Sequence, residues 1–116
     1  MDLNHLHLHV RSTERAMAFY GRYFGLREHV RHGDIVFLRD GAGMDLALAP
    51  AAEADPMPPW FHFGFRLEAP EAVEALHGAL TQAGVPIAEP LATEAGVTSF
   101  RCRDPDGYLI EVYWEP

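Results

Sequence analysis

Leu3-Asn4-His5-Leu6-His7-Leu8-His9-Val10 alternates without a break. Leu6, Leu8 and Val10 fall on one face and His5, His7 and His9 on the other, the two-residue period of a half-buried strand. Ser12 or Thr13 then caps a helix, with Glu14 favourable in its first turn. Ala16, Phe19, Tyr20, Tyr23 and Phe24 recur at helical spacing as an aromatic-rich buried stripe, and Gly25 suits the left-handed position after a helix end. Strand-like segments follow near 27–32, 34–39 and 43–49. The turns between them carry His32-Gly33-Asp34 and Asp40-Gly41-Ala42-Gly43.

The same plan is written a second time. Phe61-His62-Phe63-Gly64-Phe65-Arg66-Leu67 reads as a strand opened by a histidine, within residues 61–68. Pro70 fits the first turn of a helix, Glu71 and Glu74 favour its N-terminal end, and Val73, Leu76, Ala79, Leu80 and Ala83 form its buried stripe before Gly84. Strands follow near 86–91, 97–103 and 108–114, the last two joined by Asp104-Pro105-Asp106-Gly107. Pro50 to Pro59, rich in proline and small residues, reads as a linker. The expected organisation is one α+β domain with module one at 1–50, a linker at 51–59 and module two at 60–116. His5 and His62 lie 57 residues apart, longer than solenoid repeats run, so the two modules share one curved sheet or exchange partners with a second chain.

A chain of 116 residues with 48% hydrophobic content has the size and composition of one packed domain. No apolar run approaches the roughly 20 residues of a membrane span, and the N-terminus lacks the basic and apolar regions of a secretory signal. The lone Cys102 forms no internal disulfide, which fits a reducing cytoplasm. A net charge of −8 argues against nucleic acid, whose binding rests on clustered positive charge. It is compatible with a cationic ligand, but acidity is more often a route to solubility, and that reading is preferred. All nine basic residues are arginine, which excludes Schiff-base lysine chemistry and a P-loop.

His5, His62 and Glu111 are the residues that point to chemistry. Two imidazoles and a carboxylate suit a divalent transition metal that keeps open positions. Glu111 lies between Ile110 and Val112, whose side chains take the opposite, core-packing face; a carboxylate there needs a cation or donor partner. His7 shares the face of His5 and is either a general base or a polar lining residue, histidine being the side chain that titrates near neutrality. Arg66 and Arg101 can bind an anionic substrate group, and for Arg101 a surface pairing with nearby acids is the alternative. His29, His32 and His77 read as surface residues.

The chain resembles the vicinal oxygen chelate superfamily, which includes glyoxalase I, extradiol dioxygenases, fosfomycin-resistance thiol transferases and bleomycin-binding proteins. The resemblance spans essentially the whole chain. It rests on residues 3–10, Ala18-Phe19-Tyr20 with Phe24-Gly25-Leu26, His62, and Asp104-Pro105-Asp106-Gly107-Tyr108-Leu109-Ile110-Glu111. It implies two βαβββ modules forming a curved mixed sheet around a cavity, with His5, His62 and Glu111 on the metal-ligand positions. It places Asp45 where some members have a fourth ligand, a glutamate one methylene longer. Asp45 is therefore a fourth ligand, a base, or a solvated residue. The implied cofactor is a divalent Fe, Mn, Ni, Co or Zn ion, and the implied assembly a homodimer.

The chemistry common to this superfamily is metal stabilisation of a developing oxyanion on a small oxygenated substrate. The absence of lysine, and an end at Glu115-Pro116 where fosfomycin enzymes continue with basic residues, disfavour phosphonate and glutathione substrates. The leading expectation is a metal-dependent glyoxalase- or dioxygenase-type enzyme. The alternative is a protein that binds a drug or metabolite without turnover, which the acidic charge and two tryptophans suit.

Overall fold

The computed structural model describes residues 1–53 and 55–116, and the chain divides into two units, Met1–Pro56 and Met57–Pro116. The boundary falls inside the expected linker, of which Ala54 lies outside the described residues. Each unit follows the order strand, helix, three strands, and each closes a four-stranded mixed sheet of its own. The fold is α+β, built of two βαβββ modules. No helix among the described residues is long and apolar enough to cross a membrane.

The first unit contains β1 (His5–Val10), α1 (Thr13–Phe24), β2 (Arg27–His32), β3 (Ile35–Arg39) and β4 (Asp45–Pro50), with sheet order β1-β4-β3-β2. β1 and β4 run parallel and the other pairs antiparallel. Ser12 caps α1 by accepting the Arg15 N–H at 3.2 Å. Gly25 ends it at φ +70°, a conformation that would bring a Cβ against the backbone. Leu8, Val10, Val36, Leu38, Leu46 and Leu48 are buried, as are Ala16, Phe19 and Tyr20 of α1. Burying each aliphatic side chain contributes about 1.5–3 kcal/mol. Tyr23 and Phe24, expected in the same stripe, are only half-buried. The register of β2 shifts between Glu28 and Val30, so His29 sits at a bulge.

The second unit contains β5 (Phe63–Arg66), α2 (Pro70–Gln82), β6 (Ile87–Glu94), β7 (Val97–Arg103) and β8 (Leu109–Trp114), in the equivalent order β5-β8-β7-β6. β5 is shorter than the strand expected over 61–68, and His62 stands just ahead of it. Phe100, Cys102, Ile110 and Val112 are fully buried with Val73 and Leu80 of α2. The expected α2 stripe is too wide: Leu76 is half-buried, and Ala79 and Ala83 are exposed. The fully buried positions, Val73 and Leu80, lie two turns apart, so α2 meets its sheet along a narrow line. His77 is also corrected: it is half-buried, its ring edge-on to Phe100 at 5.0 Å.

The turn into β8 is held from inside. Asp104 is buried, and its Oδ1 accepts the N–H groups of Asp106 and Tyr108, each at 2.9 Å. Its backbone carbonyl accepts the Gly107 N–H at 3.0 Å, with Gly107 at φ +91°. These bonds satisfy the tight turn locally and set β8 in register with β7.

Candidate functional site

Across each sheet, one row of directly opposed residues holds most of the candidate site residues. In the first unit the row is His5 on β1, Asp45 on β4, Arg39 on β3 and Arg27 on β2. In the second unit it is Gly64 on β5, Glu111 on β8, Arg101 on β7 and Glu89 on β6, with His62 two residues before Gly64. Opposed residues in a ladder share a face, so each row is a continuous strip on one side of its sheet.

The two carboxylates are held differently. Arg39 clamps Asp45 with both prongs, Nε to Oδ1 at 2.7 Å and Nη2 to Oδ2 at 3.0 Å. That bidentate bond holds the Asp45 carboxyl below the usual carboxylate range, against the opposing effect of its partial burial. Glu111 has no such clamp. Its Oε1 lies 3.8 Å from Arg101 Nη2, and its Oε2 lies 3.6 Å from His62 Nε2. Both separations are ion-pair contacts beyond hydrogen-bonding distance. Arg101 is shared, since Nη1 lies 3.5 Å from Glu89. Its Nε is buried without a hydrogen-bond partner.

The two histidines are oriented alike. His62 Nδ1 lies 3.0 Å from the Trp60 backbone carbonyl, and His5 Nδ1 lies 2.9 Å from Asn4 Oδ1. Carbonyl oxygens only accept, so Nδ1 is the donor in both rings and Nε2 is the nitrogen left for another partner. A histidine prepared to bind metal is oriented in this way. Gly64 leaves room for Glu111: a Cβ there would stand 3.3 Å from the Glu111 carbonyl oxygen and 3.6 Å from its Cβ.

The structure therefore brings His62 and Glu111 together in the second unit, while His5 belongs to the first. Among the described residues, no three His, Cys, Asp or Glu side chains are gathered to hold a metal ion. His7 is exposed, with its ring edge-on to His9 at 5.5 Å; His9 Nδ1 pairs with Asp55 at 2.6 Å. Arg66 is exposed and donates to the Glu115 backbone carbonyl at 3.0 Å. Cys102 faces the core, where burial and the charge of Asp104 push its thiol up to about 12, so it is no nucleophile. Four residues of these rows were not anticipated: Arg27, Arg39, Glu89 and Gly64. Arg39 was open to reading, because strand parity puts it on the face of Asp45. Glu89 lies between two register shifts, which parity does not predict.

A chain with two βαβββ modules and this polar row is of a recognisable class. Residues 2–112 match the family model of the Glyoxalase/Bleomycin resistance protein/Dioxygenase superfamily, and the chain belongs to that family. It is 30% identical over 118 residues to a manganese-dependent 2,3-dihydroxybiphenyl 1,2-dioxygenase of Geobacillus genomosp. 3, spanning 96% of this chain and 36% of that protein. The chain thus spans about a third of the dioxygenase's length. It is 32% identical over 119 residues to the glutathione transferase FosA of Serratia marcescens, spanning 97% of this chain and 79% of that one. A possible glyoxalase from Bacillus cereus has a similar structure, with TM-score 0.84, 33% identity and 97% of each chain covered. A dioxygenase and a thiol transferase are thus similar to this chain at nearly the same identity, so similarity alone ranks neither activity.

Proposed function

We propose that the protein is a metal-dependent enzyme acting on a small oxygenated substrate, with His5, His62 and Glu111 holding one divalent transition-metal ion. The observation that carries this reading is the matched preparation of the two histidines. Each gives its Nδ1 proton to a carbonyl and keeps Nε2 for a ligand. Glu111 supports it as an oxygen donor held only by ion-pair contacts. Asp45 is not part of the ligand set in this reading, because Arg39 occupies both of its oxygens. The manganese in the name of the Geobacillus relative supports a metal of the expected group, Fe, Mn, Ni, Co or Zn.

The metal's contribution is Lewis-acid stabilisation of an oxyanion forming on the substrate. The chain's own residues position and charge-balance the site. Trp60 and Asn4 fix the rings of His62 and His5, and Arg101 neutralises part of the Glu111 charge. His7, two residues along β1 from His5, is the base that moves a proton. A homodimer in the cytoplasm belongs to the same proposal. Sequestration of a cationic drug without turnover is the second reading, favoured by the net charge of −8 and by Trp60, 73% exposed.

The test is metal content. The untagged protein is reconstituted with each of the five metals, and bound ion is measured by mass spectrometry for the parent, His5→Ala, His62→Ala and Glu111→Ala. One tightly bound ion per chain, lost in all three variants, is expected. A substoichiometric parent, or variants that bind as well as the parent, would sink the enzyme reading. Tryptophan quenching by a cationic aromatic compound would then favour sequestration.

A further inference from the structure

The second unit carries most of the chain's negative charge. Nine acidic residues against three arginines leave Met57–Pro116 at −6, where eight against six leave Met1–Pro56 at −2. Two of the nine line a cleft of about 420 Å³ along β6 and β7, formed by Glu89, Pro90, Ala92, Glu94, Val97 and Ser99. The volume is within the range of small-molecule sites. The cleft lies on the sheet face opposite α2: Phe100, whose ring meets His77 of α2, points away from the side of Val97 and Ser99.

Register decides which side chains reach the cleft. Glu94 is opposed to Val97 and Ala92 to Ser99. That pairing, continued without a break, would oppose Pro90 to Arg101 and turn Glu89 with Cys102 toward the core. The irregularity between Glu89 and Ala92 instead opposes Glu89 to Arg101 and brings its carboxylate to the cleft's side. The two glutamates thus stand at opposite ends of the cleft. Arg101 and Val97, which oppose them, are four residues apart on β7, about 13 Å at the rise of a strand. Between the ends the lining is Pro90, Ala92 and Val97, short and apolar, with Ser99 beside them. Both carboxylates keep oxygens for a ligand. Glu89 is 60% exposed and meets Arg101 only at 3.5 Å, and Glu94 is exposed.

Two negative ends on an apolar floor complement a chain with two positive ends. A compact divalent ion does not span carboxylates so far apart. An extended aliphatic chain lays its methylenes on Pro90, Ala92 and Val97 and keeps its ammonium heads at the wet rim, as a lysine side chain does. We propose that this cleft is a binding site for linear aliphatic diamines, with Glu89 and Glu94 each holding one terminal ammonium. The site needs no metal at Glu111 and no contact with Trp60, so it stands apart from both readings of the protein's function.

Amide chemical shifts of the full chain, titrated at low salt with no metal added, test it with three probes. The ammonium ends of 1,8-diaminooctane stand about 11 Å apart when extended and those of 1,3-diaminopropane about 5 Å, while 1-aminooctane has a single ammonium. The long diamine should move the amides of residues 89–99. It should bind at least about 3-fold more tightly than either other probe, the effect of one further exposed ion pair. Glu89→Gln and Glu94→Gln should each reduce it to the level of 1-aminooctane. Glu74→Gln, on α2 across the sheet, should leave it unchanged. Equal binding of the two diamines, shifts lying outside the cleft, or a loss in Glu74→Gln as large as in Glu94→Gln would assign the effect to the unit's overall charge and overturn the inference. The chain-length comparison is made on the parent and decides even where a variant does not fold. Either result leaves the metal reading to its own test.

Discussion

The two units place an arginine opposite a carboxylate at the same point of the same sheet, and only one of the pairs closes. The difference lies one strand further out. Opposite Arg39 stands Arg27, which does not compete for its guanidinium; opposite Arg101 stands Glu89, which does. Asp45 therefore receives a whole fork and Glu111 half of one. A second difference lies on the other side. His5 is directly opposed to Asp45, whereas Gly64 is opposed to Glu111 and the histidine comes from two residues earlier. One module's row is closed by a matched ion pair, and in the other the arginine is divided between two carboxylates. Duplicated architecture does not make duplicated sites, because a single charge at the sheet edge decides how the central pair is made.

The largest expected effect separates the units by reactivity. Cys102 is the chain's one cysteine and lies in the second unit, with its thiol pushed from 9.0 to about 12. Three pH units of that kind leave about a thousandfold less thiolate than an ordinary thiol. A disulfide reagent at pH 8 should leave the native protein unlabelled and titrate one thiol per chain in denaturant. Labelling then reports opening of the second unit specifically. Asp45→Asn should not accelerate it, and Gly64→Ala should, by crowding Glu111 against its strand. Acceleration by both would show that the units open as one body.

Next in size is the metal comparison. Glu111→Gln should weaken divalent-ion binding by about 100-fold or more, as loss of a ligand requires, and Asp45→Asn should change it by less than about 3-fold. Equal losses would place Asp45 among the ligands and undo the contrast between the rows.

Much of this was readable from residue patterns. The alternation of residues 3–10, the Ser12 cap, Gly25 and the Asp104 turn each constrain local structure directly, and each forms as the pattern demands. Glu111 was legible because Ile110 and Val112 commit that strand's other face to the core, where both are fully buried. What escaped is set by register and depth. The competition for Arg101 depends on Glu89 standing opposite it between two irregularities of β6. The bulge at His29 is likewise a property of strand pairing. Ala79 and Ala83 misled because alanine is equally at home inside and outside a helix face. His77 packs against Phe100 at a distance no local pattern encodes.

A smaller effect distinguishes the rows by pH. The Asp45 carboxyl is held below its ordinary value, so the Arg39 bond stabilises the fold above the unfolded carboxylate range, about 3.9. That contribution is lost as pH falls through the lowered folded value. Urea midpoints for the parent and Asp45→Asn should differ at pH 7, begin to converge near about pH 4, and meet only below the lowered folded value. A constant gap down to pH 2 would mean that Asp45 contributes through packing and not through its charge.

The smallest effect concerns the hairpins that carry the outer strands. In the first unit β2 and β3 are joined by Gly33 and Asp34, and the positive φ of +61° falls on the glycine. In the second, β6 and β7 are joined by Ala95 and Gly96, and both take positive φ, +51° and +82°. Two-residue turns of that form match the twist of the strands they join, but they place the Ala95 Cβ where a side chain is strained. Ala95→Gly should relieve that strain and lose part of the gain to a freer unfolded chain, for a net stabilisation of about 0.5–1 kcal/mol. Gly96→Ala should cost about 1–2 kcal/mol. Urea midpoints at unchanged m-value measure both. A stabilised Ala95→Gly with unaltered ligand binding would assign the alanine to turn geometry alone. Weakened ligand binding in the more stable variant would mean that the strained turn helps hold Glu89 opposite Arg101, and so contributes to keeping the second row open.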